Sequence, residues 1–202
     1  MDDLYLRTAE PADASAIESI YRPYVETTAV TFETEPPDAA SIAEEIQTRL
    51  ETYPYFVAAS DADGVLGYAY AGRLRKRDAY RWAAELSVYL DGDYRRQGVG
   101  SALYTALLDT LDRQGFNSAY GVVTLPNPES VGFHESLGFD RVGRFPEVGY
   151  KLGAWHDVAW YKRSLGDRSD APTEPVAFER CRDEPWLRGL SVDAAACDFR
   201  VE

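Results

Sequence analysis

Cysteine is scarce in this chain of 202 residues: there are two, Cys181 and Cys197, with no histidine beside either. That excludes a zinc site built on the pair. A bridge between them would close a loop of about 15 residues and contribute roughly 3 kcal/mol; a reducing cytoplasm favours free thiols instead. No apolar run approaches the roughly 20 residues that span a bilayer. The first residues, Met1-Asp2-Asp3, lack the basic start and apolar centre of a signal peptide, so a cytoplasmic protein is expected. Repeats and low-complexity segments are absent. Basic residues are outnumbered, 21 Lys and Arg against 34 Asp and Glu, for a net charge of −13. Nucleic acid and anionic membrane surfaces are therefore poor partners. Lysine is rarer still, with Lys76, Lys151 and Lys162 alone. Acid excess with so little lysine is the composition of a protein from a salt-loaded cytoplasm, though an ordinary acidic protein would also fit. What the chain does have is 45% hydrophobic residues, enough for a packed globular core.

The most informative segment is Asp91-Gly-Asp-Tyr-Arg95-Arg96-Gln97-Gly98-Val99-Gly100-Ser101. Ahead of it, Leu86 to Leu90 alternates apolar and polar, as a half-buried strand does. Behind it, Leu103, Leu107, Leu108 and Leu111 recur at helical spacing. A strand thus feeds a glycine-bearing turn that opens a helix. Such a turn aims several backbone N–H groups at one point, where the helix dipole adds about half a positive charge. The arrangement suits phosphate, with Arg95 and Arg96 adding charge; glycine kept merely for packing is the plainer explanation. The spacing is neither the dinucleotide-fold fingerprint nor the lysine-bearing loop of P-loop enzymes.

Around this centre the chain reads as β-α-α-β-β-β-α-β-α-β-β. Tyr5-Leu6-Arg7 is a first strand. Pro11 and Asp13 open a helix with the stripe Ala14, Ile17, Ile20, Tyr21 and Tyr24, and Asp38 caps a second with Ile42, Ile46 and Leu50. Two strands flank the turn Asp61–Gly64, and a basic loop from Arg73 to Arg77 leads into the strand that ends at Leu90. After the glycine turn and its helix come a strand over 119–124, the break Pro126-Asn127-Pro128, a short helix closed by Gly138, and two last strands. The pattern predicts an α/β fold: a mixed, mostly antiparallel central sheet with helices on both faces. Residues 1–165 form one domain. Residues 166–202 form an acidic, proline-bearing C-terminal extension, expected to be partly ordered because it keeps Phe178, Trp186, Leu187 and Leu190.

The chain resembles GNAT N-acetyltransferases in the segment Arg95 to Gly100. Over about residues 4 to 165 it is similar to the phosphinothricin and methionine sulfoximine/sulfone acetyltransferase subfamily. The matching pieces are Thr31-Phe-Glu-Thr-Glu-Pro-Pro37, Ala79-Tyr-Arg-Trp82, Glu85 to Leu90, Asn127-Pro-Glu-Ser130 with His134 to Phe139, and Gly149 to Asp157. The resemblance implies the GNAT fold, acetyl-CoA as co-substrate, no metal, a small-molecule amine as acceptor, and a homodimer. It implies coenzyme contacts along Val88, Tyr89 and Leu90, through Arg95, Arg96, Gln97, Gly98, Val99, Gly100 and Ser101, and at Asn127 and Ser136. The Val88 N–H would polarise the thioester carbonyl.

Amide formation from a thioester needs a base for the amine, donors for the carbonyl oxygen and a proton for the departing thiolate. Glu85, in an otherwise apolar strand, is the candidate base; desolvation there would raise its pKa. A solvent-facing strand residue is the alternative reading. His134 is the candidate acid, at a position the resemblance assigns to thiolate protonation, although a lone helical histidine is commonly structural. Phe32, Arg75, Arg77 and Tyr80 are implied for the acceptor, since paired arginines can fork onto a carboxylate. That points to an amino acid or analogue. Polyamines or protein N-terminal amines are alternative acceptors, and a non-catalytic acyl-CoA sensor is the alternative from another class.

Overall fold

The structure, a computed structural model, describes residues 4–166 and 170–182. Trp186, Leu187, Leu190 and Cys197 lie outside the described residues. Strand β1 (Tyr5–Thr8) leads through a short 3-10 turn into α1 (Ala14–Thr27). At that entry the Asp13 carboxylate accepts from the Glu10 N–H and pairs with the Arg7 guanidinium at 2.6 Å, tying the first strand to the first helix. Helix α2 (Ala39–Leu50) starts where the Asp38 side chain accepts from the Ser41 N–H at 2.8 Å, satisfying one of the free donors of the first turn. Strands β2 (Tyr55–Ser60), β3 (Gly64–Arg73) and β4 (Ala83–Leu90) follow, then α3 (Val99–Gln114), β5 (Ser118–Leu125), α4 (Pro128–Ser136), β6 (Asp140–Lys151) and β7 (Ala154–Ser164).

Seven strands make one sheet in the order β1-β2-β3-β4-β5-β7-β6. Only β4 and β5 pair in parallel; the other neighbours are antiparallel. The expected element order and the mixed, mostly antiparallel sheet are therefore what the chain adopts. Strand alternation sorts the core into two layers. Ile17, Ile42 and Ile46 of α1 and α2 pack on Tyr55, Val57 and Tyr68 on one face. Leu103, Leu107 and Leu111 of α3 pack on Phe56, Ala58, Ala69, Ala71, Ala84 and Leu86 on the other. Both faces of β2 are covered, which is why all six of its residues are buried.

The β4–β5 pairing is short. Register runs from Ala83 opposite Ser118 to Leu86 opposite Gly121 and stops there, although both strands continue for four more residues. The sheet therefore splits at the C-terminal end of β4. That split positions the site.

Part of the C-terminal extension is seated on the domain. Phe178 is fully buried, its ring edge-on to Phe56 with centroids 6.0 Å apart. Burial of a side chain that size contributes roughly 2 kcal/mol. Its backbone N–H donates to the Thr52 carbonyl at 3.1 Å, and the Val176 N–H donates to the Gln114 carbonyl at 2.7 Å. The Gln114 side-chain amide reaches both the Thr52 and Val176 carbonyls. Further along, the Trp82 indole N–H donates to the Thr173 carbonyl at 2.7 Å, and Arg81 pairs with Glu174. The extension thus grips the loop between β3 and β4.

Candidate active site

Parity along β4 decides what the split exposes. The Asp91 N–H donates across to the Leu66 carbonyl, so odd-numbered residues present their backbone to β3. Even-numbered residues face β5, and past Leu86 they face the gap. Two tyrosines occupy most of that edge. The Tyr104 hydroxyl of α3 lies 3.2 Å from the Leu86 carbonyl, within donating distance. The Tyr24 hydroxyl of α1 donates to the Leu90 carbonyl at 2.7 Å and accepts from the Leu90 N–H at 3.3 Å. Between them Val88 keeps its N–H and carbonyl directed into the split, with no partner among the described residues. An unpaired edge amide of this kind is a ready hydrogen-bond donor.

Below Val88 the split opens into a cleft of about 680 Å³. Val88 and Leu90 form one wall, the glycine turn the floor, and Asn127, Ser130 and Phe133 of the α4 start the other wall. Arg96 and Gly98 both take positive φ, 61° and 85°, which turns successive N–H groups toward one side. The first helical bond of α3 is Ala102 N–H to the Gly98 carbonyl, so the N–H groups of Val99, Gly100 and Ser101 have no helical acceptor. Arg95 lies with its guanidinium 5.0 Å from the Tyr24 ring centroid. The combination of free amides, a helix N-terminus and two arginines fits a diphosphate. Asn127 caps α4 by accepting from the Ser130 N–H at 3.0 Å. Its amide nitrogen has no partner among the described residues and can donate into the cleft.

Not every residue expected at the coenzyme lies there. Arg95, Arg96, Gly98, Gly100, Ser101, Asn127, Val88 and Leu90 line the cleft. Ser136 does not: its hydroxyl donates to the Phe133 carbonyl at 2.8 Å, within α4. Gln97 turns away to donate to the Asp93 carbonyl, bracing the turn rather than lining it. Val99 is in the core. Tyr89, of odd parity, points its ring to the α1 face among Tyr21, Tyr24 and Tyr68.

Glu85 lies on the face opposite α3, in register between Gly72 of β3 and Tyr120 of β5. Its carboxylate has no hydrogen-bond or ion-pair partner among the described residues. Desolvation raises its pKa above the ordinary carboxylate value, and the nearby guanidinium groups of Arg75 and Arg49 work against that rise. A half-buried, unengaged carboxylate with a raised pKa is suited to proton transfer. Arg75 stands near it, its guanidinium 4.7 Å from the Trp160 ring centroid. Arg77 is exposed, and Tyr80 lines a second cavity on the Glu85 face. Phe32 packs against Gly149 of the β6–β7 hairpin, with its ring centroid 6.3 Å from that of His156, and lines neither cavity.

His134 is only 5% exposed and sits over Gly121, where a Cβ would collide with the imidazole. Its Nδ1 is 2.8 Å from the Ser130 carbonyl, an acceptor, so Nδ1 carries the proton. Nε2, 3.1 Å from the Tyr104 hydroxyl, is then an acceptor, so the single hydroxyl proton serves either Nε2 or the Leu86 carbonyl. Burial lowers the His134 pKa and keeps it neutral. In this arrangement Nε2 holds no proton to give to a thiolate, and the ring does not line the cleft. The expected acid role at His134 gains no support from this arrangement, in which the histidine braces Tyr104 beside the Leu86 carbonyl.

Two contributors escaped sequence reasoning. Tyr24 looked like one more apolar position on its helix, and nothing local signals that its hydroxyl meets Leu90. Arg49 did leave a signal, since it falls three residues after Ile46 on the buried stripe. It donates to the Ala71 carbonyl at 3.1 Å and covers the Tyr70 ring at 4.2 Å.

A buried neutral histidine has a pH signature. With its folded pKa below the unfolded value near 6.5, the unfolded chain binds the extra proton first, so stability falls as pH drops below about 6.5. Melting temperatures between pH 7.5 and pH 5 should show this decline, and His134→Gln should lessen it. An unchanged slope in the variant would contradict the assignment.

Comparison with known proteins gives consistent results. The family model for an acetyltransferase (GNAT) domain matches residues 6–160. The chain is 40% identical over 172 residues to a phosphinothricin N-acetyltransferase of Streptomyces viridochromogenes, covering 85% of this chain and 92% of that protein. It is 34% identical to an L-methionine sulfoximine/L-methionine sulfone acetyltransferase of Pseudomonas aeruginosa, covering 83% and 98%. A crystal structure of a GNAT superfamily phosphinothricin acetyltransferase from Sinorhizobium meliloti in complex with AcCoA superimposes with a TM-score of 0.81 at 38% identity, covering 86% and 95%. Fold, family model and full-length relatives agree: the chain belongs to the GNAT acetyltransferase family.

Proposed function

We propose that this protein is an acetyl-CoA-dependent N-acetyltransferase acting on the amino group of a small amino acid or analogue of the phosphinothricin and methionine sulfoximine kind. The observation that carries the reading is the unpaired Val88 N–H at the split, with free helix-start amides below it and a desolvated carboxylate three residues back. In this reading the turn at residues 95–101 holds the coenzyme diphosphate, and Asn127 donates to the pantetheine arm. The Val88 N–H then donates to the thioester oxygen as charge develops there.

Val88 and Glu85 are about 10 Å apart along the strand. Glu85 therefore takes the amine proton through an intervening water rather than directly. The freed amine attacks the carbonyl carbon, the C–S bond breaks, and the thiolate, whose thiol resembles that of cysteine with a pKa near 8.5, is protonated by water in the open cleft. An α-amine near pKa 8 is also easier to deprotonate than a lysine side chain near 10.4. In this reading Arg75, near Glu85, meets the acceptor carboxylate. Holding amine and thioester in line supplies much of the acceleration, on the order of 7–11 kcal/mol for well-oriented reactants.

The acid-rich, lysine-poor composition supports work in a salt-rich cytoplasm. A homodimer is supported by the apolar residues left exposed on the β6–β7 edge, among them Phe145, Val148, Tyr150 and Trp155. Few monomers leave such a patch uncovered. Sedimentation equilibrium should give twice the chain mass, and Trp155→Asp should shift the protein to monomer; a monomeric wild type at micromolar concentration would contradict this.

Thiol release from acetyl-CoA with phosphinothricin and methionine sulfone as acceptors tests the activity. Glu85→Gln should lower kcat by about 10²–10⁴ while leaving acetyl-CoA affinity unchanged. Because the base works ionised, the wild-type rate should rise with pH through a pKa above the ordinary carboxylate value, and that limb should vanish in Glu85→Gln. Turnover should persist at molar potassium chloride. Near-normal turnover of the variant would remove Glu85 from the role.

A further inference from the structure

On the Glu85 face, a second cavity of about 750 Å³ lies beyond the carboxylate, away from the coenzyme cleft. Its floor is the sheet itself: Ala83 of β4, Ser118 and Tyr120 of β5, and Lys162 of β7. Tyr80 and Trp82 form one wall. The opposite wall, at Asp170 and Pro172, comes from the C-terminal extension, outside the stretch that the family model matches. Two ties fix that wall, the Trp82 indole to the Thr173 carbonyl and Arg81 to Glu174.

The ladder connects this cavity to the candidate base. Glu85 is in register with Tyr120, and Tyr120 with Lys162. Directly registered side chains share a face, so one row runs from the carboxylate to the ammonium across two strand spacings, about 10 Å. Arg75 stacks over Trp160, two residues from Lys162 on the same strand and therefore on the same face, about 7 Å along it.

Lys162 is half-buried, and its ammonium has no hydrogen-bond or ion-pair partner among the described residues. Asp140, its register neighbour on β6, is exposed and forms no ion pair with it, and neither does Asp170 on the rim. A partly desolvated cation gains from an anionic partner. In a chain with 34 acidic residues and three lysines, leaving one unpaired inside an aromatic-walled cavity is a specific arrangement.

We propose that Lys162, with Tyr80, Trp82 and Tyr120 around it, is a second acceptor subsite, closed by the C-terminal extension, that takes an anionic group at the far end of the acceptor. It rests on the transferase reading in which Glu85 takes the acceptor amine's proton through water. Arg75 then holds one anion of the acceptor and Lys162 the other. Acceptors with two anionic groups are favoured over those with a neutral side chain. The extension, by walling this cavity, becomes a determinant of which acceptor is used.

The test is calorimetric binding of two acceptors to the full chain loaded with coenzyme A. Phosphinothricin carries a phosphinate on its side chain; methionine sulfone carries a neutral sulfone. Lys162→Met should weaken phosphinothricin about tenfold or more while changing methionine sulfone less than about twofold, and Lys162→Arg should restore most of the difference. Equal losses for both acceptors, no loss for either, or no binding of phosphinothricin to the wild type would overturn the subsite. A thermal melt matching wild type confirms that the variant is folded. The thiol-release assay separates the two readings: no release with any amine sinks the transferase, whereas release with both acceptors and equal effects of Lys162→Met sinks only the subsite.

Discussion

The parting of β4 from β5 is the constraint on which the rest of this structure depends. A parallel pair that continued in register would use every even-numbered backbone group of β4 and leave no room between the strands. Pairing ends instead at Leu86 and Gly121. Each backbone group freed by that ending needs another partner or water. Tyr24 supplies one to Leu90, while Tyr104 comes within 3.2 Å of the Leu86 carbonyl from a helix on the opposite face of the sheet. On this edge, among the described residues, Val88 is left for a ligand. His134 belongs to the same construction: its neutral ring, fixed by Ser130, can receive the Tyr104 hydroxyl proton and keeps that side chain beside Leu86.

The split also divides the chemistry by face. On the α3 side lie the glycine turn, the α4 cap and the cleft, all built from backbone amides, arginines and an asparagine. On the other lie Glu85, Arg75, Trp160 and Lys162. This separation explains how a protein with a net charge of −13 can offer a site for a polyanion. The positive field is local, made of dipoles and guanidinium groups within a few ångströms of the cleft, and local contacts withstand screening better than the long-range repulsion of the surface. On the Glu85 face the charges are likewise few, with Arg75 in the loop after β3, Glu85 on β4 and Lys162 on β7, one strand removed.

The fold was largely legible in the sequence because its signals are local. Apolar alternation marks the strands, i, i+3, i+4 spacing marks α1 and α3, Asp38 and Asn127 cap their helices, and Gly98 opens α3 at a φ that favours glycine. The glycine turn was legible for the same reason, since the strand, turn and helix that build it are contiguous. Parity was the weaker inference. Tyr89 falls within the right strand but on the wrong side of it, and Ser136 lies on the right helix but turns back into it. What stayed hidden depends on contacts far apart in the chain. Tyr24 meets Leu90 across 66 residues, His134 meets Tyr104 across 30, and Trp82 meets Thr173 across 91. No periodicity or motif encodes such meetings. A lone histidine on a short helix therefore read as an acid, and the burial that lowers its pKa is not visible in the sequence.

The most direct measurement is amide hydrogen exchange at Val88, read by NMR with and without saturating acetyl-CoA. The account predicts a readily exchanging Val88 amide in the free protein that slows by roughly tenfold or more once the coenzyme is bound, while Ser87 and Tyr89, paired to β3, stay protected throughout. A Val88 amide already protected in the free protein, or one indifferent to bound acetyl-CoA, would contradict it.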